Sequence, residues 1–208
     1  MATLSALSKH RRLTSDDQVD IRATVNAVLE HVGVAADEIP RDLDKVLRGL
    51  GLIARRKDFT KFEQMLGVEA DSIQGAVVAK NDLPLLLYRP SVSRSAIRNF
   101  TSHELGHSIL HADHIQNGRL TIKSKTNDSQ DDDNRQMEDE ADEFADELLM
   151  PEERLKKDIS LKAFSEDEDE RADEYVRLAQ MYVVPYSSMK KRAIKLVDEQ
   201  IKKASGGE

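Results

Sequence analysis

The chain has no cysteine and no tryptophan, and aromatic residues make up only 4% of its 208 positions. Without cysteine there is no disulfide, no thiolate nucleophile, no iron–sulfur cluster and no Cys-ligated zinc; a metal must be held by His, Asp, Glu or water. So few aromatics argue against a stacking face for carbohydrate or single-stranded nucleic acid. Long apolar runs are missing too. The longest, around Leu83–Tyr88, falls far short of the ~20 residues that span a bilayer. The stretch Met1–Arg12 puts its basic residues after the apolar ones and lacks a signal peptide's apolar centre. The expectation is a cytoplasmic protein without membrane contact. Positive charge is in deficit: Lys+Arg is 31 against Asp+Glu 39, a net −8. Such a chain is a poor general binder of nucleic acid or anionic lipid, though it can dock a basic partner.

What is present is enough apolar residue, 39%, for one core in one domain of ordinary size. Residues 1–14 read as a flexible tail and 15–203 as a single domain, with an active core near 73–151 and closing helices over 152–203. Ser15 and Gln18 form a capping-box pattern, followed by a helical stripe of Ile21, Val25, Val28, Leu29 and Val32 ending at Gly33. A short helix follows Pro40, then a strand over Leu52–Arg55. Segment 57–72 is ambiguous. Ile73–Ala79 and Leu83–Tyr88 read as a hairpin, Pro84 suggesting an edge strand. Helices follow at about 93–111, 138–150, 167–182 and 186–203; residues 113–137, with Asp131–Asp133, read as a solvated loop. The fold class is α+β, mostly helical with a small antiparallel sheet before the central helix.

That central helix contains His103-Glu104-Leu105-Gly106-His107, an H-E-x-x-H motif. Residues four apart share a helix face, so two imidazoles can converge on one zinc at ~2.0–2.1 Å. Glu104 points beside the metal, where a general base acts on metal-bound water. Gly106 leaves room beside that face. Apolar Ile97, Phe100, Leu105, Ile109 and Leu110 make this a core helix rather than a charged surface helix carrying two incidental histidines.

A catalytic zinc needs a third protein ligand and an open position. A histidine at 113 would continue one known pattern, but Asp113 stands there. His111 lies one further turn along and reads as structural or as an outer neighbour of the metal, as does His114. Glu138 and Asp142 offer E-x-x-x-D on a second helix: Glu138 as ligand, Asp142 accepting a ligand histidine's ring N–H and fixing its tautomer. Glu140 lies on the opposite side and is the weaker candidate. Two His and one carboxylate suit zinc or manganese, with zinc favoured by affinity.

The segments RNFTSHELGHSILH (Arg98–His111) and EDEADEFADELLMP (Glu138–Pro151) resemble the ImmA/IrrE family of zinc metallopeptidases. The hairpin and the closing helix pair around Val184–Leu196 are similar too, and the resemblance spans roughly residues 40–196. It implies a zincin-like fold with a gluzincin-like ligand set: one Zn2+ per chain on His103, His107 and Glu138, and Glu104 as base. It also implies an endopeptidase that cleaves a helix-turn-helix repressor in phage, mobile-element or stress-response switches, and so regulates transcription without touching nucleic acid itself. Ser102 replaces the family's usual Ala, and Asp142 its frequent Asn; both acidic and amide forms accept the histidine N–H. Candidate oxyanion partners are Tyr88, His111, Tyr175 and Tyr182.

Two other readings stay open. Leu178–Arg192 superficially resembles a helix-turn-helix, made locally basic by Lys190, Lys191, Arg192, Lys195, Lys202 and Lys203, so a DNA-binding regulator is one. Its turn is Val-Val-Pro without glycine, and Met189, Ile194, Val197 and Ile201 look like a packing stripe over the metal helices. A zinc-bound adaptor without catalysis is the other, but it has no use for Glu104.

Overall fold

A computed structural model describes residues 4–14, 19–80, 83–112, 120–124, 132–160 and 167–205. Along the chain run α1 (Leu4–Ser8), α2 (Ile21–Val32), α3 (Leu43–Gly49), β1 (Ile53–Arg56), α4 (Thr60–Leu66), β2 (Ile73–Lys80) and β3 (Leu83–Tyr88). There follow α5 (Arg94–Leu110), β4 (Leu120–Ser124), α6 (Asp132–Leu149), α7 (Glu152–Asp158), α8 (Glu168–Tyr182) and α9 (Tyr186–Ser205). The fold is α+β. Local chemistry explains many of the ends. Asp20 caps α2 by accepting from the Ala23 N–H, and Gly33 closes it in the left-handed region. Ser93 caps α5 through the Ala96 N–H.

Several expectations are corrected. The sheet has four strands in the order β1-β3-β2-β4. The β2–β3 hairpin is antiparallel, but β1 runs parallel to β3, so the sheet is mixed. Its fourth strand follows α5 and pairs with β2. β3 is therefore interior. Pro84 is tolerated because β1 pairs only from Leu85 onward, and the missing N–H falls outside that ladder. Residues 1–14 are not simply a tail: α1 packs on α5 and Leu7 is buried. Asp20, not Ser15, caps α2; Ser15 and Gln18 lie outside the described residues. Part of the expected 113–137 loop is β4, and α6 starts at Asp132 rather than near 138. Acidic residues there suit a helix N-terminus. Asp131 and His114 lie outside the described residues.

One core joins Val28, Leu29, Leu47, Leu86, Leu105, Ile109, Phe144 and Leu148 across α2, α3, the sheet, α5 and α6. A second joins Leu149, Leu155, Leu178, Tyr182, Met189 and Leu196 across α6 to α9. Buried arginines stitch these layers. Arg41 donates to Leu148 O (3.1 Å) and Ala35 O (2.6 Å). Arg98 donates to Val183 O (3.1 Å) and Arg41 O (2.9 Å). Arg192, on α9, reaches back to Glu143 (2.5 Å) and Glu147 (2.7 Å) of α6.

The same contacts neutralise part of the basic face of the helix-turn-helix resemblance, while Lys190 and Lys191 are exposed. Arg192 is 1% exposed and neutralised by α6, and Lys195 pairs with Glu143 at 2.7 Å. Met189 and Val197 are buried as expected, but Ile194 is exposed; Ala193 and Leu196 complete the stripe instead. Ile201 falls where no side chain is described.

Arg192→Leu strips Glu147 of its closest cation inside a packed interface. Removing one partner of a buried pair costs about 3–5 kcal/mol; the low end applies, because the Glu152 N–H and Arg22 still face Glu147. Urea unfolding of the variant is expected to show about 3 kcal/mol less stability, and an unchanged midpoint would mean that α9 is not anchored through this residue.

Candidate metal centre

The centre is built where α5 crosses α6. Gly106 makes that crossing possible: a Cβ there would lie 3.1 Å from Ala141 Cα, 3.2 Å from Ala141 O and 3.2 Å from Phe144 Cβ. The glycine does not leave room beside a metal, as its position in the motif suggests; it lets the two backbones touch. On its other side α5 is seated on the sheet, with Phe100 lying so close over Gly75 that a Cβ on Gly75 would sit 2.5 Å from the ring. The motif helix is thus fixed from both sides, and His103 and Glu104 are buried while His107 is half-buried.

His103, His107 and Glu138 converge: a ligand atom from each lies within 4.8 Å of the others. His103 Nε2 and His107 Nε2 are 3.1 Å apart. Glu138 Oε2 lies 3.2 Å from His103 Nε2, and Oε1 lies 3.2 Å from His107 Nε2. Three ligands of a tetrahedral zinc at ~2.0–2.1 Å stand about 3.3–3.4 Å apart, so the triangle fits one ion. The protonation pattern fits as well. His103 Nδ1 lies 2.8 Å from Asp142 Oδ1. With Nδ1–H donated there, Nε2 turns a lone pair toward another imidazole nitrogen and a carboxylate. Three electron-rich atoms so placed repel one another unless a cation or proton lies among them. The histidines' hydrogen bonds hold the Glu138 carboxyl well below the usual carboxylate range.

The other expected residues fall at stated places. Glu104 is buried on α5, directly after His103. His111 is the C-cap of α5, outside the triangle; its ring centroid is 5.6 Å from that of His107 and its Nε2 is 3.5 Å from Glu140 Oε2. Glu140, the weaker ligand candidate, therefore meets His111 rather than the triangle. Tyr182 donates to Asp158 (2.7 Å) inside the second core, and Tyr175 is buried there beside Tyr186. Tyr88 lines a cavity beside the first turns of α5. Asp146 continues the row Glu138, Asp142 by one more turn. Burial, with Glu143 and Asp142 nearby, pushes its carboxyl up to about 7 despite the Arg192 guanidinium. Below about pH 7 Asp146 therefore adds little negative charge behind the triangle. Sequence reasoning missed Asp146, although the repeat of acids at spacing four is visible in it.

Comparison with known proteins adds one finding. The model of a peptidase family described as the IrrE N-terminal-like domain matches residues 69–194, more than half of the chain. The match starts at Glu69, later than the expected start near residue 40, so it takes in β2 to the first half of α9 but not α1–α4 or β1. No curated protein matches the chain.

Two outcomes are expected from this geometry. Gly106→Ala forces α6 away from α5 by a few tenths of an ångström and costs about 1–3 kcal/mol of overpacking; a denaturation midpoint equal to wild type would show the contact to be slack. Asp146 carries a pH signature. Its pKa rises on folding from 3.8 to about 7, so the native state binds the proton more tightly, and stability from this group falls as pH climbs from about 4 to 7. The difference in stability between wild type and Asp146→Asn is therefore expected to grow across that window; a difference constant with pH contradicts it.

Proposed function

The chain belongs to the IrrE N-terminal-like family of metallopeptidase-type hydrolases, the ImmA/IrrE family, and from that premise we propose that it is a zinc-dependent endopeptidase. Its substrate in this proposal is a helix-turn-helix repressor, which it cleaves to switch on gene expression. The observation that carries the reading is the triangle of His103, His107 and Glu138, with Asp142 fixing the His103 tautomer.

His103 Nε2, His107 Nε2 and the Glu138 carboxylate hold the ion. Bound zinc supplies a Lewis acid and a water of lowered pKa. Asp142 keeps the proton on His103 Nδ1, so Nε2 stays a donor of its lone pair. Glu104 takes the proton of the attacking water on its carboxylate and returns it to the leaving amine. His111 sits behind His107 as an orienting neighbour. Repressors that bind DNA are basic, and this chain presents the reverse charge: net −8 overall and Glu168, Asp169 and Glu170 in the first turn of α8. No helix of the described residues is long and apolar enough to cross a membrane, and a repressor substrate places the chain in the cytoplasm. The adaptor reading gains nothing from the structure.

The experiment is elemental analysis together with cleavage of repressors encoded near the gene. Wild type is expected to carry one zinc per chain and to release defined fragments. Glu138→Ala loses the zinc. Glu104→Gln keeps it and cleaves about 10²–10⁴-fold more slowly. Asp142→Ala binds zinc about 10–100-fold more weakly. A metal-free wild type that takes up no added zinc ends the peptidase reading; full zinc with undiminished cleavage in Glu104→Gln removes Glu104 from the chemistry.

A further inference from the structure

On the side of α5 away from the metal centre lies a cavity of about 620 Å³, bounded by α3, the β1 edge of the sheet and the first turns of α5. Positions 94, 97, 98 and 101 of α5 line it, and their i, i+3, i+4, i+7 spacing makes them one helix face. His103 and His107 fall roughly half a turn around the helix axis from that face, and no residue of the triangle lines the cavity.

Its lining is cationic. Four arginines, Arg41, Arg56, Arg94 and Arg98, face two aspartates, Asp42 and Asp44. Asp42 is already committed, its Oδ1 capping α3 through the Lys45 N–H at 2.9 Å. Arg56 and Arg94 are exposed at the mouth and have no ion-pair partner among the described residues. Arg98 is the unusual member. It is 7% exposed, and its Nε and Nη1 are spent on two backbone carbonyls. Among the described residues no carboxylate lies within ion-pair distance and Nη2 has no acceptor. A buried guanidinium left in this state is unfavourable unless something supplies negative charge and acceptor oxygens. Three residues on, the buried Thr101 hydroxyl also lacks a partner among the described residues. The first turn of α5 contains no acidic residue, so the positive end of a long helix dipole adds to the same field. Tyr88 supplies a half-buried wall.

We propose that this cavity is an anion site for a small phosphorylated or carboxylated molecule. Its anionic oxygens are taken by Arg56 and Arg94 at the mouth, and by Arg98 and Thr101 inside as these covered side chains turn toward the anion. The site is separate from the metal centre but shares a helix with it.

The test is calorimetric titration of the full chain with inorganic phosphate, and separately with succinate, at constant ionic strength in chloride. Saturable binding of one anion per chain is expected, and the stronger of the two names the class. The Arg56→Ala/Arg94→Ala double variant, which changes only exposed side chains, is expected to bind about tenfold or more weakly, as is the near-isosteric Thr101→Val, the loss of a charge-assisted contact. Arg48→Ala/Arg55→Ala removes the same charge from residues outside the cavity and is expected to bind as wild type. Glu138→Ala is expected to bind as wild type as well, which separates this site from an anion caught on a metal. No binding of either anion overturns the proposal. So does binding that survives in the Arg56/Arg94 and Thr101 variants, falls equally in the Arg48/Arg55 control, or disappears with Glu138.

Discussion

Two backbones meet where Gly106 of α5 touches Ala141 of α6, and the separation of the helices at that point governs the centre. His103 and His107 project from one helix and Glu138 from the other, so their nitrogens and oxygens stand 3.1–3.2 Å apart only while the axes stay close. A methyl group at residue 106 would be enough to widen the triangle. The packing that enforces the approach is broad rather than local. Leu105, Ile109, Phe144 and Leu148 interlock beneath the crossing, and Phe100 presses α5 onto the sheet at Gly75.

Charge inside the protein reinforces this geometry. In a chain with a net negative charge, four arginines are buried among the described residues, and three of them join elements distant in sequence. Arg41 grips the end of α6, Arg98 links α5 to the Arg41 backbone and to the turn after α8, and Arg192 ties α9 to α6. Two of the three, Arg41 and Arg98, bond carbonyls rather than carboxylates, which fixes backbone position more than it neutralises charge. The acids of α6 divide their work accordingly. Glu138 and Asp142 face the histidines; Glu143 and Glu147 face α9.

The parts legible in the sequence were those set by local rules. The i, i+4 spacing of His103 and His107, the stripe of α2, the Ser93 start of α5 and the hairpin all follow from periodicity or capping, and the structure has them. Glu138 and Asp142 were legible for the same reason, since a spacing of four puts them on one helix face. What could not be read depends on partners far along the chain. Nothing local makes Arg41, Arg98 or Arg192 a buried residue rather than a surface one. β1 lies parallel to β3 only because α4 and β2 intervene, and β4 is a five-residue alternation, Leu120 to Ser124, inside a long polar stretch that masks it. The start of α6 was missed because three aspartates suggest a loop, whereas at a helix N-terminus the same charges are favourable.

β4 has a consequence for how the centre can come apart. Proteins open locally in cooperative units, and those with few tertiary ties open most readily. Were the segment between α5 and α6 a plain connection, only the contact of the two helices and the core packed around them would resist their parting. Here Leu120–Ser124, between the two helices in sequence, is hydrogen-bonded into the sheet as an edge strand along β2, so the connection from α5 to α6 is held at the sheet partway along. The triangle is therefore expected to share the amide exchange of its sheet rather than that of a hinged helix pair.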